Sequence, residues 1–164
     1  MKAYLATNFF DLFGFEGTAK IAEKIREAFP QLELYVPQEN KEINDKKNND
    51  DIITDIAIYK ADARELLSSQ ILIAYLDGVE IDAGVAGEVG MFVGSLETLK
   101  AIGMRHTPKL VIGLYTDMRQ HGTGDNHMYK NLFIKGAVNE WGCVVETVDE
   151  VIKLMDDFIT NYPV

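Results

Sequence analysis

The chain has 164 residues, and 16 basic against 26 acidic side chains leave a formal charge of −10. That length suits one domain over residues 1–164 with a full core, and 47% hydrophobic residues exclude a disordered chain. The acid excess excludes a general nucleic-acid binder, which must neutralise successive phosphates. No apolar run reaches the roughly 18 residues of a membrane span, and no secretory leader is visible, so a cytoplasmic protein without a membrane partner is expected. Cys143 is the sole cysteine, which excludes an internal disulfide or a multi-cysteine metal site.

Lys2-Ala3-Tyr4-Leu5-Ala6 reads as a buried strand. Ile21, Ile25, Ala28 and Phe29 recur at helical spacing and predict a helix over 16–29, closed by Pro30. Leu32, Leu34 and Val36 alternate as a second strand. The polar stretch 38–51, with Ile43 its lone apolar residue, reads as a surface loop or lid. Ile52, Ile56, Tyr59, Ala63 and Leu67 predict the next helix. The run 71–76 (ILIAYL) is apolar throughout, as a central parallel strand requires, and Asp77-Gly78 is a turn signal. A helix over 82–102, a strand over 109–115, a helix over 127–140 and a strand over 142–146 follow. Thr147 with Glu150 forms a capping box that opens a last helix with one apolar stripe.

Alternating strands and helices predict an α/β fold, flavodoxin-like (Rossmann-type), with a five-stranded parallel sheet and helices on both faces. Ligands of such sheets bind beyond the carboxyl ends of the strands. The segments of interest are therefore 6–10, 77–88 and the residues after Tyr115. Within Asp77-Gly78-Val79-Glu80-Ile81-Asp82-Ala83-Gly84-Val85-Ala86-Gly87-Glu88, Asp82 suits a helix N-cap. Helical side chains lean toward the N-terminus, so Glu88 extends over the bare Gly84 turn. Asp77, Glu80 and Asp82 would repel phosphate. Carboxylates around a cleft suit a neutral polar ligand that becomes cationic as it reacts, as a glycosidic carbon does.

These residues carry a resemblance over nearly the whole chain. Ala3-Tyr4-Leu5-Ala6, Asp62 placed 26 positions before Glu88, Asp82-x-Gly84-x-x-x-Glu88-x-Gly90, and Tyr129-Lys130-Asn131-Leu132-Phe133 resemble the nucleoside 2-deoxyribosyltransferase family. The resemblance implies an enzyme that exchanges the base of a 2′-deoxynucleoside with a free nucleobase and uses no cofactor. It implies Glu88 as nucleophile, Tyr4 as the residue orienting it, and Asp62 and Asp82 around base and sugar, one of them protonating the leaving base. Asn131 matches an asparagine that binds sugar hydroxyls, in some members from a neighbouring subunit, and Phe10 an aromatic position at the base. Asp77, Gly84 and Phe133 complete the expected substrate contacts. Phe133 stands where some members carry Met, and Tyr162 is a candidate for the C-terminal group that closes the site. A homo-oligomer, dimer or hexamer, with sites completed across subunits, is the implied assembly.

The carboxylates crowded here are expected to raise the pKa of the acid that protonates the base. Two other readings stay open: an N-glycoside hydrolase of the same fold, in which water takes the sugar, and a non-catalytic nucleotide-sensing module. His106, His121 and His127 lack metal-ligand spacing, so no metal is expected. Cys143 reads as an inert core thiol and Trp141 as packing. Phe9, Phe10, Phe13 and Phe15, four aromatics in seven residues after a strand end, exceed what a turn needs.

Overall fold

The computed structural model describes residues 1–44, 53–118 and 130–163. Its elements, in chain order, are β1 (Lys2–Ala6), α1 (Leu12–Ala28), β2 (Glu33–Tyr35), a 3₁₀ turn (Pro37–Glu39), α2 (Lys41–Asn44), α3 (Asp55–Ser68) and β3 (Ile71–Tyr75). They continue with α4 (Ala83–Ala101), β4 (Leu110–Leu114), α5 (Leu132–Trp141), β5 (Gly142–Val145) and α6 (Val148–Asn161). All strands pair in parallel in the order β2-β1-β3-β4-β5, so the ILIAYL strand is central, as its apolarity on both faces requires.

Strand alternation distributes the core. Tyr4, Ala6, Leu72, Ala74 and Val111 face Leu66 of α3, Val85, Val89 and Phe92 of α4, and Val138 of α5. Ala3, Leu5, Ile71, Ile73 and Ile112 face Ala22 and Ile25 of α1 and Val151 and Met155 of α6. The sheet is thus covered on both faces, with the chain direction placing the β1–α1, β3–α4 and β4–α5 connections at one edge.

Local signals explain most boundaries. Asp82 caps α4, and Thr147 and Glu150 form the reciprocal capping box of α6. Gly78 adopts φ 113°, where a Cβ would stand 2.9 Å from the Glu80 carbonyl, so the turn after β3 requires glycine. Two elements depart from expectation. Helix α1 starts at Leu12, capped by Asp11 on the Gly14 amide at 2.8 Å, four residues before the apolar spacing marks it. Its first turn carries the exposed Leu12, Phe13 and Phe15, so no inward stripe announces it. The polar segment after Pro37 is not a plain surface loop either. Its described part folds as the 3₁₀ turn and α2, because Pro37 and Ile43 are both buried; residues 45–51 lie outside the described residues. The expected helix over 127–140 is described only from Leu132. No described helix is long and apolar enough to cross a membrane.

Candidate active site

At the carboxyl edge of the sheet, on the α3–α4 side, a cavity of about 380 Å³ opens. Asp62 of α3 and Asp82, Gly84 and Glu88 of the α4 start line one part of it; Phe9, Phe10, Pro37, Ile43, Ile58 and Val85 supply apolar walls. The volume falls in the range of small-ligand sites, which combine apolar lining with a few convergent polar groups. Four of the residues expected at the substrate, Asp62, Asp82, Gly84 and Glu88, therefore meet here, and Phe10 joins them.

Glu88 sits two turns into α4, partly buried, and reaches back over Gly84 as helical geometry dictates. Tyr4 projects from β1 beneath it, fully buried, and its hydroxyl donates a hydrogen bond to Glu88 Oε1. Burial pushes the Glu88 carboxyl up to about 7. The Tyr4 hydrogen bond opposes that rise, while the charges of Asp62 and Asp82 add to it. Burial, then Glu88, holds the Tyr4 phenol far above its ordinary range, so it remains a proton donor at any working pH. Gly84 keeps the turn beneath Glu88 open: a Cβ there would lie 3.0 Å from Asp82 Oδ1.

The Asp82 carboxylate accepts from the Gly84 and Val85 amides at 2.8 and 3.2 Å, which fixes it at the helix start and at the cavity. Asp62 is held differently. Tyr35, at the end of β2, donates from its hydroxyl to Asp62 Oδ1 at 2.7 Å, and Asn40 Nδ2 donates to the Tyr35 hydroxyl at 2.9 Å. Crowding is not the main reason that the Asp62 pKa is raised. Burial leads, the Tyr35 hydrogen bond opposes it, and Glu65 on the same helix adds a smaller push.

Tyr35 and Asn40 were not among the expected site residues. The missing signal is strand register: Tyr4 and Tyr35 are direct partners in the β1–β2 ladder, and their rings lie 5.3 Å apart. Phe9 also lines the cavity, stacked on Phe10 at 4.9 Å; Phe13 instead lines a second cavity on the α1 side.

Three expected substrate contacts are placed elsewhere. Asp77 lines that second cavity, of about 220 Å³, and its carboxylate accepts from the Thr116 and Asp117 amides at 2.7 and 3.2 Å and from the Thr116 hydroxyl. It ties the β3 end to the β4 end rather than facing Glu88. Asn131 caps α5, accepting from the Phe133 and Ile134 amides at 3.1 and 3.2 Å, and neither Asn131 nor Phe133 lines the carboxylate cavity of its own chain. Both are exposed. Lys130, next to Asn131, is buried and donates to the Gly78 carbonyl. Tyr162 packs on Phe158 beside Met1 and Pro108, at the amino edge of the sheet, so it cannot close the cavity of its own chain. Tyr129, His121 and His127 lie outside the described residues. Among the described residues no group of three His, Cys, Asp or Glu could hold a metal.

A model of the family described as nucleoside 2-deoxyribosyltransferase matches residues 3–155. The chain belongs to that family. Among solved structures, a conserved protein from Enterococcus faecalis is 32% identical over 96% of this chain and 98% of its own, with a TM-score of 0.75. A 2-deoxyribosyltransferase from Bacillus psychrosaccharolyticus shares 20% identity over 93% and 90% of the two chains, TM-score 0.61. A CMP N-glycosidase from Clostridium botulinum shares 15% over 96% and 99%, TM-score 0.53. The last two share the fold. No curated protein matches the chain. For a nucleoside 2-deoxyribosyltransferase family member, the cavity at the sheet's carboxyl edge is where a flavodoxin-like α/β fold places its ligand.

Proposed function

We propose that the protein transfers 2-deoxyribose between nucleobases, with a 2′-deoxynucleoside and a free nucleobase as substrates. One observation supports it above the rest: the partly buried Glu88 carboxyl shares one cavity with Asp62 and Asp82 and accepts the Tyr4 hydroxyl proton in a hydrogen bond. Glu88 in its ionised form attacks the anomeric carbon. The C–N bond breaks, its electron pair passes to the base, and a protonated carboxyl, assigned to Asp62, delivers a proton to a base nitrogen. The result is a glutamyl ester of deoxyribose and a neutral free base. An incoming base attacks the same carbon from the vacated side, gives its proton back to Asp62 and releases Glu88. Two displacements retain configuration and give ping-pong kinetics.

Burial raises both carboxyls and each phenol hydrogen bond opposes the rise, so the division of labour is assigned by what each group meets in the substrate. Tyr4 stabilises the ionised Glu88. Burial raises the Asp62 pKa, which favours its acid form, and a base nitrogen accepting from that acid favours it further. Asp82, pinned by two amides, is assigned to the sugar hydroxyls. The stacked Phe9 and Phe10 and the walls of Pro37, Ile43 and Ile58 suit a flat base.

Hydrolysis of a nucleoside or nucleotide is the second reading, favoured by the glycosidase with the same fold. The lining speaks against a phosphorylated substrate: among the described residues that form the cavity, three are acids and none is cationic. The decisive experiment mixes the protein with deoxyinosine or thymidine and a second free base and separates the products by chromatography. A new deoxynucleoside is the expected product. Free deoxyribose alone indicates the hydrolase, and tight binding without turnover a sensing module. Asn131, Leu132 and Phe133, exposed in the single chain, are assigned to a subunit contact through which a neighbour completes the site. A fully active monomer on size exclusion would overturn that assembly.

A further inference from the structure

Asp62 faces Tyr35 of β2 and Tyr4 of β1, Glu65 on its own helix, and Glu88 and Asp82 from α4. Among the described residues, only Tyr35 donates a hydrogen bond to it. The direction of that bond is fixed from behind. An amide nitrogen can only donate, so Asn40 Nδ2 occupies the Tyr35 oxygen as an acceptor and leaves the hydroxyl proton to point at Asp62. The Tyr35 ring cannot swing away freely, because it packs against the buried Tyr4 ring at 5.3 Å. Asn40 ends the 3₁₀ turn whose Pro37 lines the cavity, and it precedes α2, whose Ile43 lines it too.

From this geometry we infer that Tyr35 is the positioning residue for the Asp62 carboxyl, and that Asn40 sets the direction of its hydroxyl. One Asp62 oxygen is committed to Tyr35, and the other is the atom that meets the base. The chain also couples the Pro37–Ile43 wall to the carboxyl, so the group that protonates the leaving base is anchored to the surface that sandwiches it. The inference rests on the transfer reading for its catalytic consequence, but the hydrogen-bond chain itself is independent of that reading.

Tyr35→Phe keeps the ring and removes the hydroxyl. Because the hydroxyl favours ionised Asp62, its loss moves the Asp62 titration midpoint up by about 0.5–1 pH unit. That shift is read directly by carbon NMR of carboxyl-labelled aspartate in the unliganded protein. Turnover gives a second signature. Asp62 keeps its proton to higher pH in the variant, so the variant-to-wild-type ratio of kcat/KM climbs about three- to tenfold between pH 5 and pH 9. At neutral pH the loss is in kcat, with KM little changed, since the acid acts in the chemical step. Asn40→Ala shifts the midpoint in the same direction by a smaller amount and adds nothing to Tyr35→Phe.

An Asp62 midpoint that stays put in Tyr35→Phe overturns the inference, as does a kcat/KM ratio that is constant over the whole pH range. If the wild-type protein transfers no deoxyribose while the midpoint still moves, the positioning of Asp62 stands and the transfer reading falls.

Discussion

Two cavities flank the carboxyl edge of the same sheet, and each holds two aspartates. On the α1 side, Asp77 takes two amides and a hydroxyl, and Asp11 takes the Gly14 amide. These carboxylates stitch chain segments together. On the α3–α4 side, Asp62 and Glu88 each accept from a buried or partly buried phenol, and burial raises both pKa values. The difference teaches that acidity at a sheet edge is not itself a site. A carboxylate with both oxygens taken, as in Asp77, has lost its chemistry to structure; Asp82, bonded through Oδ1 alone, and the desolvated Asp62 and Glu88 keep an oxygen for a ligand.

The largest effect that separates the two cavities is expected at Glu88. Glu88→Ala should lower base exchange by at least about 10³-fold, as loss of a nucleophile does; activity within tenfold of wild type removes Glu88 from that role. Glu88→Gln carries a second expectation, in stability. The folded protein holds the Glu88 proton up to about 7, against an ordinary 4.5. A carboxyl raised on folding contributes stability that is present below the ordinary value and lost as pH climbs through the raised one. The amide cannot ionise, so Glu88→Gln should melt on the order of 5 °C higher than wild type at pH 8, with no gain at pH 4. Equal melting shifts at both pH values would show that Glu88 does not carry a raised pKa.

Asp62→Asn should follow, with a loss of about 10²–10⁴-fold, the worth of a positioned general acid. The loss should shrink for deoxynucleosides whose base leaves readily without a proton, which a uniform structural defect would not reproduce. Tyr4→Phe comes next. Without its hydroxyl the Glu88 pKa climbs above 7, and a larger share of enzyme is protonated at the nucleophile. The expected result is a roughly tenfold loss of kcat/KM at pH 6 that closes toward wild type above pH 9, since a hydrogen bond to a charged group is worth about one to two pKa units. A loss of equal size at every pH would limit Tyr4 to packing.

How far these contrasts could be read from the sequence depends on the range of the interaction that makes them. Helical geometry stacks Glu88 over Gly84 one turn away, and Asp82 caps the same helix start, so their meeting is legible from spacing alone. The ILIAYL run announces the central strand because both of its faces are buried. Tyr35 is different: its place depends on register between β1 and β2, and the polar run after Pro37 hides that Ile43 folds inward. Asp77 shows the opposite failure. A strand-end aspartate looks the same in sequence whether its donors are the backbone or a substrate, and only the position of Thr116, brought alongside by β4, decides. The start of α1 is hidden because its first apolar side chains face solvent.

The aromatic wall offers a finer distinction. Phe10 is 83% exposed yet lines the carboxylate cavity, while Phe13, 85% exposed, lines the other. Phe10→Ala should raise KM about three- to tenfold with kcat nearly unchanged, the mark of a contact made equally in ground and transition states. Phe13→Ala should leave both constants alone, and a KM effect of similar size from Phe13 would mean that the base lies across both cavities.

Among the carboxylates, the smallest effect on turnover is expected at Asp77, where the comparison is sharpest. Asp77→Ala removes the acceptor of two amides and a hydroxyl at the β3–β4 edge. Thr116 is exposed, so water replaces part of what is lost, and the cost should stay near 1–2 kcal/mol, or about 3–6 °C in Tm. Base exchange at 25 °C should remain within about twofold of wild type, because no Asp77 atom lines the cavity that holds Glu88. The opposite outcome, exchange reduced tenfold with Tm unchanged, would move Asp77 from the scaffold to the substrate. It would also mean that the two cavities act as one site, with the Asp77 hydrogen bonds released when a nucleoside binds.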